Sequence, residues 1–191
     1  MTVLGSASRY LFQSILLVPE ADLSAPTPCS DWNLGTLLLH VQASLEHFTD
    51  VLMACEAPGA ASPESETDPG TDSVATIRAR IVDLLVAWTS APAANRWCEV
   101  GDRILPAEIV VCTAAIEMVL HAWDISQACK ADRPIPAELA SDLLDVSPPL
   151  AAAGAANQAF TGPLDVSITA TPGERLLALF GRRGLIAGTA E

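Results

Sequence analysis

The stretch Ile109-Val-Val-Cys-Thr-Ala-Ala-Ile-Glu117-Met-Val-Leu-His121-Ala-Trp123-Asp124 decides how the chain is read. Helical periodicity makes it a helix, opened by Pro106 and running to about Cys129. Glu117 and His121 stand at i and i+4, so they share one helical face. A carboxylate in such apolar surroundings costs several kcal/mol unless something positive compensates it, and a metal ion would do so. A further donor stands upstream in another apolar helix, Leu37-Leu38-Leu39-His40-Val41. Imidazole, carboxylate and imidazole from two packed helices make a three-ligand site with open positions, which suits a reacting metal better than a structural one. The chain has three histidines. His47, two turns past His40 on nearly the same side, is the rival for the third position or a residue at the pocket mouth. Asp124 either orients the His121 imidazole as a hydrogen-bond acceptor or belongs to a solvated face. Trp32 and Trp123 lie near the ligands in sequence, as pocket lining or as core.

Outward from that helix, Gly and Pro mark the breaks. A first helix covers about residues 2 to 18. A turn-rich segment, Ala25-Pro-Thr-Pro-Cys-Ser-Asp31, leads to a second helix from about Asn33 to Cys55, with Ser30 or Asp31 as its cap. Residues 56 to 72 contain no basic residue and form an acidic loop. A third helix runs from Ser73 to Thr89, and a short extended piece is expected around Trp97 to Val100. Beyond the fourth helix come a helix from about Pro136 to Asp145, an Ala-rich stretch 150 to 159, an extended piece Leu164 to Thr169 and a last helix Pro172 to Phe180. The expectation is one domain spanning residues 1 to 191, all-α: an antiparallel four-helix bundle with extra C-terminal helices and short irregular or extended links.

Composition bounds the function. Half of the 191 residues are hydrophobic and 17% are charged, which suits a single domain with a substantial core. The formal charge of -13 repels phosphate backbones and anionic membranes, so nucleic acid is excluded as a partner. No window reads as a membrane span, the best being broken by Glu117 and His121, and no signal peptide is evident. The five cysteines lack any C-x-x-C spacing and are expected to be reduced thiols of a soluble cytoplasmic protein. Cys29 stands out by lying in the loop that opens the His40 helix, but free cysteines are mostly inert small hydrophobes.

Three blocks then carry a resemblance: Pro26-Thr-Pro-Cys29-Ser-Asp-Trp32-Asn-Leu-Gly-Thr-Leu-Leu-Leu-His40, Glu117-Met-Val-Leu-His121-Ala-Trp123-Asp124-Ile-Ser-Gln-Ala128 and Pro172-Gly-Glu-Arg-Leu-Leu-Ala-Leu-Phe-Gly-Arg182. In that order they resemble the signature blocks of the mycothiol-dependent maleylpyruvate isomerase-like proteins, a largely actinobacterial group in the DinB-like superfamily of metal-binding four-helix bundles. The resemblance implies that His40, Glu117 and His121 hold a divalent metal, most often zinc, and carry the catalysis. Around that trio, their positions in the sequence make Trp32, His47, Trp123 and Asp124 the candidates for contact with a bound cofactor or substrate. The resemblance further implies that the metal lowers the pKa of a low-molecular-weight thiol such as mycothiol and presents it to a small-molecule electrophile. The isomerase itself carries an additional C-terminal domain, whereas this chain closes soon after Arg182, so S-transfer is expected rather than isomerisation. A thiol-free lyase, cyclase or isomerase and a non-enzymatic metal-binding bundle are the alternatives, and a homodimer is an open expectation for assembly.

Overall fold

The structure is a computed structural model and describes residues 2–29, 32–55, 72–90, 96–156 and 162–183. Most of the acidic loop expected at 56–72 lies outside these residues. Helix accounts for 67% of the described residues, and the sheet among them is one two-stranded hairpin, so the fold is all-α.

Side chains that accept the free N–H groups of the first turn start the first three helices. Thr2 accepts from Gly5 at the head of α1 (Val3–Ile15), Asn33 from Thr36 at α2 (Leu34–Ala54), and Asp72 from Val74 and Ala75 at α3 (Ser73–Thr89). The α2 cap is Asn33, whose backbone is extended and whose Oδ1 lies 2.8 Å from the Thr36 N–H; Ser30 and Asp31, the expected caps, lie outside the described residues. The extended piece at Trp97–Val100 is a strand, β1, but it pairs with an unforeseen partner, β2 (Arg103–Pro106), in register Trp97 with Pro106. Gly101 at φ 61° occupies the left-handed position of their turn.

The fourth helix, α4 (Ala107–Ala128), is the centre of the molecule. It packs on α1 and α2, while α3 packs on α2 and touches α1, which closes the four-helix arrangement. Every residue from Met118 to Ser126 is buried, as expected of a helix apolar on all sides. By length and composition α4 could cross a membrane, contrary to the sequence reading, but 78% of its most apolar window is buried against the rest of the protein, as in a core helix.

Two further elements differ from expectation. Residues read as a helix followed by an Ala-rich stretch form one helix, α5 (Ala137–Ala156), which continues through Pro148 and Pro149. Both prolines are exposed, so water can satisfy the carbonyls that lose their helical donors. Residues 164 to 169 form no strand; Leu164 instead donates to the Ala178 carbonyl of α6 (Pro172–Leu179) at 2.9 Å.

The cysteine reading is also corrected. Cys55 and Cys98 form a disulfide, with Cα atoms 4.7 Å apart across 43 residues of sequence. The hairpin packs across the end of α2, and Arg96 donates to the Leu52 carbonyl at 2.8 Å beside the bridge. A pairing made by tertiary packing leaves no spacing signature. Cys29, Cys112 and Cys129 are free. Cys55→Ser is expected to lower stability by about 2–4 kcal/mol through the larger conformational freedom of the unfolded chain. An unchanged urea midpoint would show that the bridge contributes nothing.

Candidate metal centre

The i, i+4 spacing on α4 brings Glu117 Oε2 to 3.1 Å from His121 Nε2. From α2, His40 turns its Nε2 to 3.8 Å from the same carboxylate oxygen. All three donor atoms lie within 4.8 Å of one another. A tetrahedral ion with bonds of roughly 2.0–2.1 Å holds neighbouring donors roughly 3.3 Å apart, so the two separations bracket what such an ion needs. Ser44, one turn past His40, places its hydroxyl 3.3 Å from His40 Nε2.

Behind the trio runs a chain of charged groups. His121 Nδ1 is 3.0 Å from Asp124 Oδ2, which fixes the Nδ1 proton on that side and leaves Nε2 for Glu117 or a metal. Asp124 is fully buried, and Arg182 grips it with Nε at 3.2 Å from Oδ1 and 3.1 Å from Oδ2, and with Nη2 at 3.0 Å from Oδ2. The Cys29 thiol lies 3.5 Å from Asp124 Oδ2 and 3.8 Å from Arg182 Nη2.

These contacts set the protonation of the metal-free cluster. Burial alone would raise the Glu117 carboxyl, but the His121 imidazole at 3.1 Å and the His40 ring beyond it outweigh burial and hold the group well below the usual carboxylate range. Burial likewise disfavours the His121 charge, yet the Asp124 and Glu117 carboxylates on its two ring nitrogens lift it well above its ordinary value. Asp124 is raised by burial and lowered more by the Arg182 charge and the His121 hydrogen bond, ending below its usual range. Carboxylate, imidazolium, carboxylate and guanidinium thus alternate through a region from which water is largely excluded. The His121 contribution to stability is present below its unfolded pKa and lost as pH rises through the raised folded value. The Glu117 and Asp124 contributions are present above their unfolded values and lost as pH falls through the lowered ones.

Trp32 stacks beside the trio, its ring centroid 4.5 Å from His40 and 6.1 Å from His121. It is held there because Thr27, buried, donates to the Trp32 carbonyl at 2.9 Å, and because Trp32 donates to the Cys29 carbonyl. A cavity of about 10 Å³, room for roughly one water, adjoins Glu117 and His121 between Val41, Leu45, Phe48, Ala114 and Met118. The structure does not bring the remaining two predicted residues to the trio. His47 is exposed, with its ring 5.8 Å from that of Phe48. Trp123, two residues past His121, points to another side of α4 and lines a half-open cleft of about 650 Å³ with Ile135, Leu177 and Arg182. Arg182 and Cys29 were not placed at the site by sequence reasoning. Cys29 stood out for its place in the loop that opens the His40 helix, and both residues fall inside recognised blocks.

The model of the mycothiol maleylpyruvate isomerase N-terminal domain matches residues 11–126, more than half of the chain and all three members of the trio. That family is metal-binding, associated with mycothiol and isomerase-like in its chemistry. No curated protein and no solved structure matches the chain. With helical bundle, motif order and matched span in agreement, the chain belongs to the mycothiol maleylpyruvate isomerase N-terminal domain family.

Proposed function

We propose that the protein, as one domain over residues 1 to 191, is a metal-dependent enzyme that activates a low-molecular-weight, mycothiol-like thiol for S-transfer to a small electrophile. The observation that carries this is the donor set: a half-buried carboxylate flanked by two imidazole Nε2 atoms at 3.1 and 3.8 Å, with the nearer ring held from behind by Asp124. His40, Glu117 and His121 would hold the ion, and mixed imidazole and carboxylate donors suit zinc. When bound, the ion supplies Lewis acidity that lowers the pKa of a thiol. The chain's own residues do the rest. Asp124 keeps the His121 proton on Nδ1, Glu117 offsets positive charge, and Trp32 shields one side of the site from water. With a divalent ion and neutral imidazoles the cluster with Asp124 and Arg182 would be net positive, which favours an anionic thiolate as the fourth partner. Cytoplasmic placement follows from the thiol, not from the cysteines, since two of them are bridged.

One observation favours a thiol-free isomerase, lyase or cyclase instead: the wall beside Glu117 and His121 is apolar, and Arg182, whose charge acts on Glu117, is engaged with Asp124. The deciding assay supplies zinc-loaded protein with a panel of electrophiles, with and without thiol. Turnover that requires the thiol and survives Cys29→Ser supports S-transfer. Product formed at full rate without thiol removes that reading.

Proton accounting gives an independent check. In the metal-free protein His121 carries its proton at neutral pH, whereas a metal ligand must be neutral. Zinc binding at pH 7 is therefore expected to release about one proton, and affinity should rise with pH until His121 is deprotonated. Calorimetry in buffers of different ionisation enthalpy reads the number; zero release would contradict His121 as a ligand.

A further inference from the structure

The third block of the sequence ends in a residue that the metal reading does not by itself explain. Arg182 is buried, lies beyond the residues matched by the family, and reaches α4 from just past the end of a separate helix. Its delivery is specified in detail. Thr171 and Glu174 cap the start of α6 reciprocally, Thr171 accepting from the Glu174 N–H and Glu174 accepting from the Thr171 N–H. Gly173 lies so close to Ile135 that an added Cβ would sit 3.3 Å from the Ile135 carbonyl oxygen, which seats the helix closely. Gly181 then takes φ 71°, and the Arg182 N–H returns to the Leu177 carbonyl at 2.9 Å, so the chain reverses and sends the side chain inward. Arg182 Nη1 also donates to the Phe180 carbonyl at 3.3 Å.

We propose that Arg182 is a positioning residue of the metal centre: α6 delivers its guanidinium to Asp124, Asp124 orients His121, and metal binding is thereby linked to the docking of α6. This rests on the reading of His40, Glu117 and His121 as ligands. The forked contact of Nε and Nη2 fixes the plane of the Asp124 carboxylate, which a lysine at the same place could neutralise but not orient. That carboxylate in turn fixes which way the His121 ring presents Nε2. Linkage is reciprocal, so an ion that favours the oriented ring also favours the docked helix.

The test measures zinc affinity of the full chain by chelator competition. Arg182→Gln is expected to weaken binding about 10–100-fold, the scale of lost outer partners of metal ligands. Arg182→Lys should recover part of that loss, and Arg183→Gln, which removes an exposed charge from the same segment, should change nothing. Asp124→Asn combined with Arg182→Gln should lose little more than Asp124→Asn alone, because Arg182 acts through Asp124. Wild-type affinity in a folded Arg182→Gln protein, or fully additive losses, would overturn the proposal. A measurement without variants covers the case in which Arg182→Gln does not fold: in wild type, zinc should slow amide exchange in α6 more than in α3, and equal slowing would also overturn it. If wild type takes up no zinc, the metal reading itself has failed. Uptake with unlinked α6 fails the positioning role alone.

Discussion

Glu117→Gln is expected to abolish most zinc-dependent turnover and to weaken metal binding by at least about tenfold, the lower end for changes even outside the ligand set. The substitution keeps shape and volume while removing the anion that faces both imidazoles. Two buried effects then act together. The ion loses its charged donor, and His121 loses one of the groups that balances its charge in the metal-free state. His40→Ala should weaken binding on a similar scale by removing the donor from α2. His47→Ala should leave affinity unchanged, since its ring is exposed and contacts Phe48. Chelator competition separates the three variants, and equal losses for His40→Ala and His47→Ala would dissolve the assignment.

Removing the metal from wild type is expected to have the next largest effect. An ion that binds only the folded chain stabilises it by RT ln(1 + [L]/Kd), about 4 kcal/mol at a thousandfold excess over Kd. The metal-free cluster compensates part of its own charge through the alternation of Glu117, His121, Asp124 and Arg182, so the protein should remain folded but melt at a lower temperature. Superimposable melting curves, with metal loss verified by elemental analysis, would mean that the site makes no contribution to stability.

How much of this was legible in the sequence depended on whether the cause was local. The limits of α3 agree with the reading because Asp72 and the apolar spacing of Ile77, Ile81 and Leu84 act within a few residues. Glu117 and His121 were paired correctly in space because i, i+4 geometry is a property of any helix. Asp124 could be suspected for the same reason. Arg182, by contrast, meets Asp124 across 58 residues through the seating of α6, and Cys55 meets Cys98 across 43 through the hairpin. No local pattern encodes either meeting. The continuity of α5 through Pro148 and Pro149 depended on which side faces water, a fact of packing. Trp123 was placed near the ligands by sequence proximity, but two residues along a helix turn a side chain to another face.

The central claim is that His40, Glu117 and His121 together hold one divalent ion. The most direct measurement is the metal content of protein loaded with zinc and desalted, in wild type and in His40→Ala, with circular dichroism confirming that both are folded. About one zinc per wild-type chain and a large deficit in the variant is the expected result, on the scale of a three-donor site reduced to two. No zinc retained by wild type, or full occupancy in His40→Ala, would contradict it.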